Sequence, residues 1–212
     1  MRWKPPFDCE NSNDIFKAFY FQKNPVEIKD SGEITSYYVI GEDCLYLNIW
    51  KFNDNEKNKP VMVFIHGGGF GWGGSVDLLY DGHNYVKANK DIILITTTYR
   101  VSLLVFLDLT QIKGGENYKE SPNLGLLDQI QALKWINKNI ENFGWDKNNV
   151  TIFGESAGAL SVTVLPWIKG TKGLFKRIIS QSGSFAWCIN KAEGKVSINR
   201  LKSVEKKKEK KN

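Results

Sequence analysis

Histidine and cysteine are both scarce in this chain, with two of the former and three of the latter among 212 residues. Three thiols cannot close a disulfide framework, and Cys9, Cys44 and Cys188 lack metal-ligand spacing, so a stapled scaffold or a zinc site is not expected. One bridge, Cys9 to Cys44, is allowed but not required. No run of about 18 apolar residues occurs, which argues against a membrane-spanning helix. The opening Met-Arg-Trp-Lys-Pro-Pro has no apolar stretch and does not read as a signal peptide, so a cytosolic location follows if Met1 is the natural start. A basic binding face is missing too. Residues 191–212 hold nine Lys/Arg against three Glu, and residues 1–190 hold twenty charges of each sign, so the formal +6 belongs to the tail. No nucleic-acid partner is expected from that pattern, and nothing in the sequence asks for a cofactor or a metal.

What is present suits one sizeable core. The whole chain is 42% hydrophobic and 13% aromatic, the composition of a folded protein, and positions 1–190 read as a single folded unit. The tail 191–212 is charged, low in complexity and expected to be disordered. Strands are expected at Cys44–Trp50, Val61–Ile65, Ile92–Thr97, Val150–Phe153 and Arg177–Gln181. The second and third of these are continuously apolar, as strands of a parallel sheet covered on both faces should be. Between them, Asn123–Ile140 reads as a helix with Asn123 as N-cap, because Leu126, Leu127, Ile130, Leu133, Ile136 and Ile140 recur at three- and four-residue steps. Asp54–Pro60 and Lys113–Pro122 read as a polar turn and a surface loop. Strand–helix–strand alternation predicts an α/β fold, a mostly parallel sheet with helices on both faces.

Two glycine-bearing segments carry the chemistry. Gly154-Glu155-Ser156-Ala157-Gly158 has the spacing of a nucleophile elbow, a sharp strand-to-helix bend that lifts the Ser156 hydroxyl at the start of a helix. Gly154 and Gly158 are required to be small, since side chains there would collide across the bend. Such a pattern arises by chance in roughly one chain in fifteen of this length. Its context decides: Val150–Phe153 is a short apolar strand, and Ala157–Leu165 continues as a helix. Upstream, His66-Gly67-Gly68-Gly69-Phe70 directly follows the strand Val61–Ile65. A bare glycine loop in that place can offer backbone N–H groups to a developing oxyanion, with Gly68, Gly69 and Ala157 the expected donors. Phe70 and Trp72 either line the approach to this loop or pack it in place.

Several ordered motifs then point to a family. Glu42-Asp43-Cys44-Leu45-Tyr46-Leu47-Asn48, Asn123-Leu124-Gly125-Leu126-Leu127-Asp128-Gln129, Phe153-Gly154-Glu155-Ser156-Ala157-Gly158-Ala159 and Gln181-Ser182-Gly183-Ser184 resemble the type B carboxylesterases and cholinesterases. The resemblance covers most of residues 1–187. It implies the α/β-hydrolase fold, a small-molecule ester as substrate, and Ser156 as the acyl-forming nucleophile. It also implies a structural ion pair between Glu42 and Arg100, and members of the family are often secreted. Departures are visible. Ser102 and Val105 stand where glycines are usual, Thr98 stands for Asn, and Trp145 for Gly. Ile34 falls where cholinesterases carry a choline-stacking tryptophan, so a general carboxylesterase is the better comparison.

One component is not found. The hydrolase triad runs Ser, then Asp or Glu, then His, yet His66 and His83 both precede Ser156. The only acids after Ser156 are Glu193, Glu205 and Glu209, all in the tail. A truncated chain without turnover of its own is therefore expected. A non-catalytic binding or adhesion module of the same family, or a non-functional fragment, is the alternative. Glu155 adjoins the nucleophile but lacks the expected reach of a base.

Overall fold

Continuously apolar segments become the middle of a five-stranded sheet in the computed structural model, which describes residues 2–9, 15–27, 38–102 and 105–183. The strands are β1 (Leu47–Lys51), β2 (Lys59–Ile65), β3 (Ile93–Thr97), β4 (Trp145–Glu155) and β5 (Arg177–Gln181). Their spatial order is β1-β3-β2-β4-β5. β3, β2, β4 and β5 run parallel, and β1 alone is antiparallel, pairing Leu47 with Thr97. The connections between the parallel strands carry α1 (His83–Ala88), α2 (Leu124–Asn139) and α3 (Ala157–Val164). This is the α/β-hydrolase architecture in part. No described helix is long and apolar enough to cross a membrane.

The core explains why β2 and β3 lack the alternation of a half-exposed strand. Val61, Val63, Ile65, Ile93 and Ile95 point into one cluster with Ile130, Leu133 and Ile136 of α2 and Val162 of α3. Every residue of β3 is buried. At roughly 1.5–3 kcal/mol per fully buried aliphatic side chain, this cluster is the principal favourable term for the sheet.

Element ends differ from the sequence reading in physically informative ways. Asn123 makes no side-chain cap bond. Its backbone (φ −134°, ψ 21°) closes a short 3-10 turn over Ser121–Asn123, and the Leu124 N–H is taken by the Val105 carbonyl at 3.0 Å instead. The first strand starts at Leu47 rather than Cys44, because the Tyr46 N–H folds back on the Cys44 carbonyl at 2.9 Å. Lys59, expected in a polar turn, begins β2 and is buried, with its Nζ 2.6 Å from the Asp54 carboxylate. Ser121, expected at the surface, is buried, and its Oγ accepts from the Leu109 N–H at 3.0 Å.

The ion pair implied for Glu42 and Arg100 is replaced by two others. Arg100 is buried and forks onto Asp128 of α2, with Nε–Oδ2 at 2.7 Å and Nη2–Oδ1 at 2.6 Å, while the Asp128 carboxylate also accepts the Arg100 N–H at 3.1 Å. Glu42 is exposed and takes Arg2, Nε–Oε1 2.6 Å. The reason is burial: a guanidinium inside the protein needs an equally buried carboxylate in bidentate geometry, and Asp128 supplies one. Cys9 and Cys44 are both free thiols, the first exposed and the second buried. Burial and the nearby Asp128 carboxylate push the Cys44 thiol up to about 12. Ile34, Ser184, Cys188 and the tail from Lys191 lie outside the described residues.

Candidate active site

Neighbouring parallel strands release their chains at the same edge of the sheet, and that is how the two glycine segments meet. Ile65, the last residue of β2, is in register with Gly154 of β4. The loop His66–Gly74 therefore leaves beside the bend Gly154–Gly158. At the bend Ser156 takes φ 54° and ψ −116°, a left-handed backbone that costs a non-glycine residue about 1–3 kcal/mol. The strain is held by its surroundings: the Ser156 N–H donates to the Gln181 carbonyl at 2.9 Å, and its own carbonyl accepts from Leu160 at 3.0 Å.

Sterics dictate both flanking glycines. A Cβ on Gly154 would lie 2.5 Å from the Gly158 carbonyl carbon, and one on Gly158 would lie 2.0 Å from the Ile65 carbonyl oxygen. Neither obstacle is a side chain that could swing aside. Gly67 supplies the link between segments, since a Cβ there would sit 3.2 Å from the Ser156 Cβ and 2.8 Å from a Glu155 carboxylate oxygen. Gly68 (φ 94°), Gly69 (φ 58°) and Phe70 (φ 59°) then curl in left-handed conformations, closed by the Gly71 and Trp72 N–H groups on the Gly68 carbonyl at 2.9 and 3.2 Å. Among the described residues, the N–H groups of Gly68, Gly69 and Ala157 donate to no protein acceptor.

The aromatic residues of the loop divide. Phe70 packs edge-on against Phe106 and Tyr99, with centroids 4.9 and 6.3 Å away, and so belongs to the loop's support. Trp72 is 56% exposed and faces solvent beside Gly68. Glu155 is exposed, Ser156 half-buried. Among the described residues neither histidine is hydrogen-bonded to Ser156. His66 is buried, with its Nδ1 2.9 Å from the Gly67 carbonyl, and burial lowers it to about 4. His83 is exposed at the start of α1, which packs on β1 and β3 rather than on the β4–α3 bend. Among the described residues no group of three or more His, Cys, Asp or Glu is placed to hold a metal ion. Sequence reasoning missed Asp128 as the partner of Arg100. Its position four residues after buried Leu124 on α2 was the available signal.

Fold, bend and loop together define an α/β-hydrolase, and comparison with known proteins names the family. The model of the carboxylesterase family matches residues 1–210, and the chain belongs to that family. It is 46% identical over 143 residues to the para-nitrobenzyl esterase of Bacillus subtilis (strain 168), covering 68% of this chain and 28% of that protein. It is 44% identical over 161 residues to the acetylcholinesterase of Gallus gallus, covering 74% of this chain and 20% of that one. Among solved structures, a PNB esterase superposes with a TM-score of 0.76 at 39% identity, over 86% of this chain and 37% of its own. A carboxylesterase of Geobacillus stearothermophilus gives 0.75 at 39%, over 84% and 35%. The chain thus spans less than a third of the length of these curated relatives.

Proposed function

We propose that this chain supplies the nucleophile and the oxyanion donors of a carboxylic ester hydrolase. Ser156 Oγ attacks the carbonyl carbon of a small-molecule ester, the alcohol leaves, and water later releases the acid from the acyl-serine. The carbonyl oxygen, turning into an alkoxide, is met by the amides of Gly68, Gly69 and Ala157. A single donor of this kind is worth about 10²–10³ in rate, because it is already aimed at the charge that develops. Gly154 and Gly158 permit the bend. Glu155 borders the site without acting as base. The observation that carries the reading is the contact of Gly67 with Ser156, which joins a strained serine to a loop of unpaired amides.

A serine hydroxyl needs a base to reach useful nucleophilicity near neutral pH. Buried His66, and His83 on a helix that packs against β1 and β3, do not serve in this reading, so turnover requires a histidine and its acid partner from polypeptide outside these 212 residues. The oxyanion donors alone leave a slow background reaction, by analogy with triad-deleted proteases that retain about 10³–10⁴-fold over water. The test is a fluorophosphonate probe followed by peptide mass spectrometry, alongside p-nitrophenyl acetate hydrolysis. Slow labelling confined to Ser156, absent in Ser156→Ala, with no turnover, is expected. Labelling elsewhere would overturn the nucleophile assignment, and rapid hydrolysis abolished by Ser156→Ala would overturn the need for an outside base.

A further inference from the structure

His66 is enclosed at the centre of the site and performs none of the chemistry proposed above. Its ring lies flat on Tyr99, with centroids 4.2 Å apart and planes 11° from parallel. The Tyr99 hydroxyl donates to the His66 carbonyl at 2.9 Å. The peptide groups of Ile65 and His66 are also the surface on which the bend packs, 2.0 and 2.8 Å from where a Cβ on Gly158 would lie. On the other side the loop returns over the ring, with Gly73 so close that a Cβ would lie 3.0 Å from Nδ1. The N–H of Gly73 is itself tied to the Glu27 carboxylate at 3.0 Å.

The ring nitrogens settle what the imidazole does. Nδ1 is 2.9 Å from the Gly67 carbonyl oxygen. A carbonyl can only accept, so Nδ1 carries the proton and donates it. Nε2 is then a bare lone pair, and it is buried without a hydrogen-bond partner. A second proton there would be a buried cation with no acceptor, which the enclosure disfavours. The neutral Nδ1–H form is therefore imposed by the packing.

The consequence follows from the geometry of one amide. In a planar trans peptide the C=O and the N–H point in opposite directions. The carbonyl of Gly67 and the N–H of Gly68 belong to the same peptide plane. We infer that His66 is a positioning residue: by gripping the Gly67 carbonyl from behind, it turns the Gly68 N–H outward to face the oxyanion. Without that grip the Gly67 carbonyl keeps only a long contact from the Tyr99 hydroxyl at 3.5 Å, and a run of three glycines adds little resistance to a peptide flip, which would present a carbonyl where a donor is required. This role rests on the oxyanion function assigned to Gly68 above. His66 touches no substrate; it acts through Gly68.

The presence of two histidines in the whole chain makes the test direct. Imidazole 15N spectra of the 212-residue chain, assigned with His83→Gln, should place the His66 proton on Nδ1. His66→Asn puts an amide donor near the position of Nδ1 and should keep both the Gly68 amide shift and the fluorophosphonate labelling rate of Ser156 within about threefold of the original. His66→Gln displaces the donor; its Gly68 amide should move and its labelling fall by about tenfold or more, the scale of one lost oxyanion donor. A proton on Nε2, or equal damage from Asn and Gln at unchanged fold by circular dichroism, would overturn the inference. If the original chain takes up no probe at Ser156, the nucleophile assignment fails, while the tautomer and the Gly68 shift still decide for or against His66.

Discussion

β2 and β5 flank the same strand, β4, in the same parallel sense, and yet they live in different surroundings. β2 is buried along most of its length, with Val61, Val63 and Ile65 packed in one cluster with α2 and α3, and with Phe64 and Met62 covered by Tyr80 and Tyr85. β5 is exposed at all five positions, with Ile178 and Ile179 showing 42% and 44% of their surface. The β2–β4 seam ends in the glycine loop and the bend, where backbone touches backbone and no volume is spare. The β4–β5 seam ends in the Gln181 carbonyl that braces Ser156, and beyond it the strand's outer edge carries no described neighbour. Strand pairing alone therefore does not confer burial. A parallel strand becomes core only when both faces are covered, and the proposed site lies on the seam where that condition is met.

The sharpest way to break the contrast is Gly158→Ala. Alanine would gain about 1 kcal/mol of helix propensity over glycine, but its Cβ would fall 2.0 Å from the Ile65 carbonyl oxygen. The clash wins, and a loss of about 4–5 kcal/mol is expected in urea titration, at the upper end for a single substitution. Asp128→Asn comes next. It strands the buried Arg100 guanidinium and should cost about 3–5 kcal/mol, whereas Glu42→Gln, on the exposed pair with Arg2, should leave the midpoint in place.

An acid-pH effect of about 3 kcal/mol should come from His66. Its folded value, about 4, lies below the ordinary 6.5. The unfolded chain therefore takes up the proton first, and stability falls as pH drops from about 6.5 to about 4, by at most about 1.4 kcal/mol per unit. Thermal melts across that range should show a slope in the original chain that is smaller in His66→Asn. Ser102→Gly should act in the opposite direction. Ser102 sits at φ 68°, in the region glycine occupies freely, so the substitution should add about 1 kcal/mol. The smallest change is expected at β5, where Ile179→Thr should stay within about 0.5 kcal/mol and chiefly reduce self-association of the exposed strand.

Much of this was legible in the sequence. Gly154, Ser156 and Gly158 could be read because the requirement they satisfy is local: a bend that tight admits only certain residues at fixed spacing. Ser102, singled out as occupying a glycine position, has the positive φ that a glycine there would serve. The apolar runs marked β2 and β3 within two residues at every end. Reading failed where a residue's role depended on what another segment brought to it. Phe70 and Trp72 are equivalent in sequence, and only packing made one a support and the other a solvent-facing side chain. Asn123 had the chemistry of a cap, but its backbone closes a 3-10 turn and the Leu124 N–H is taken by the Val105 carbonyl, 19 residues upstream, instead.

By itself, the chain of residue types determined the parallel sheet, the position of the bend and the composition of the loop beside it, because sterics and hydrophobic periodicity act over a few neighbours. Tertiary structure alone decided that Arg100 binds Asp128, 28 residues away, that β1 runs antiparallel at the edge, and which nitrogen of His66 holds its proton. Those outcomes turn on which groups share a dry environment at hydrogen-bond distance. Residue type establishes what a group can do, and only the folded arrangement supplies the partner with which it does it.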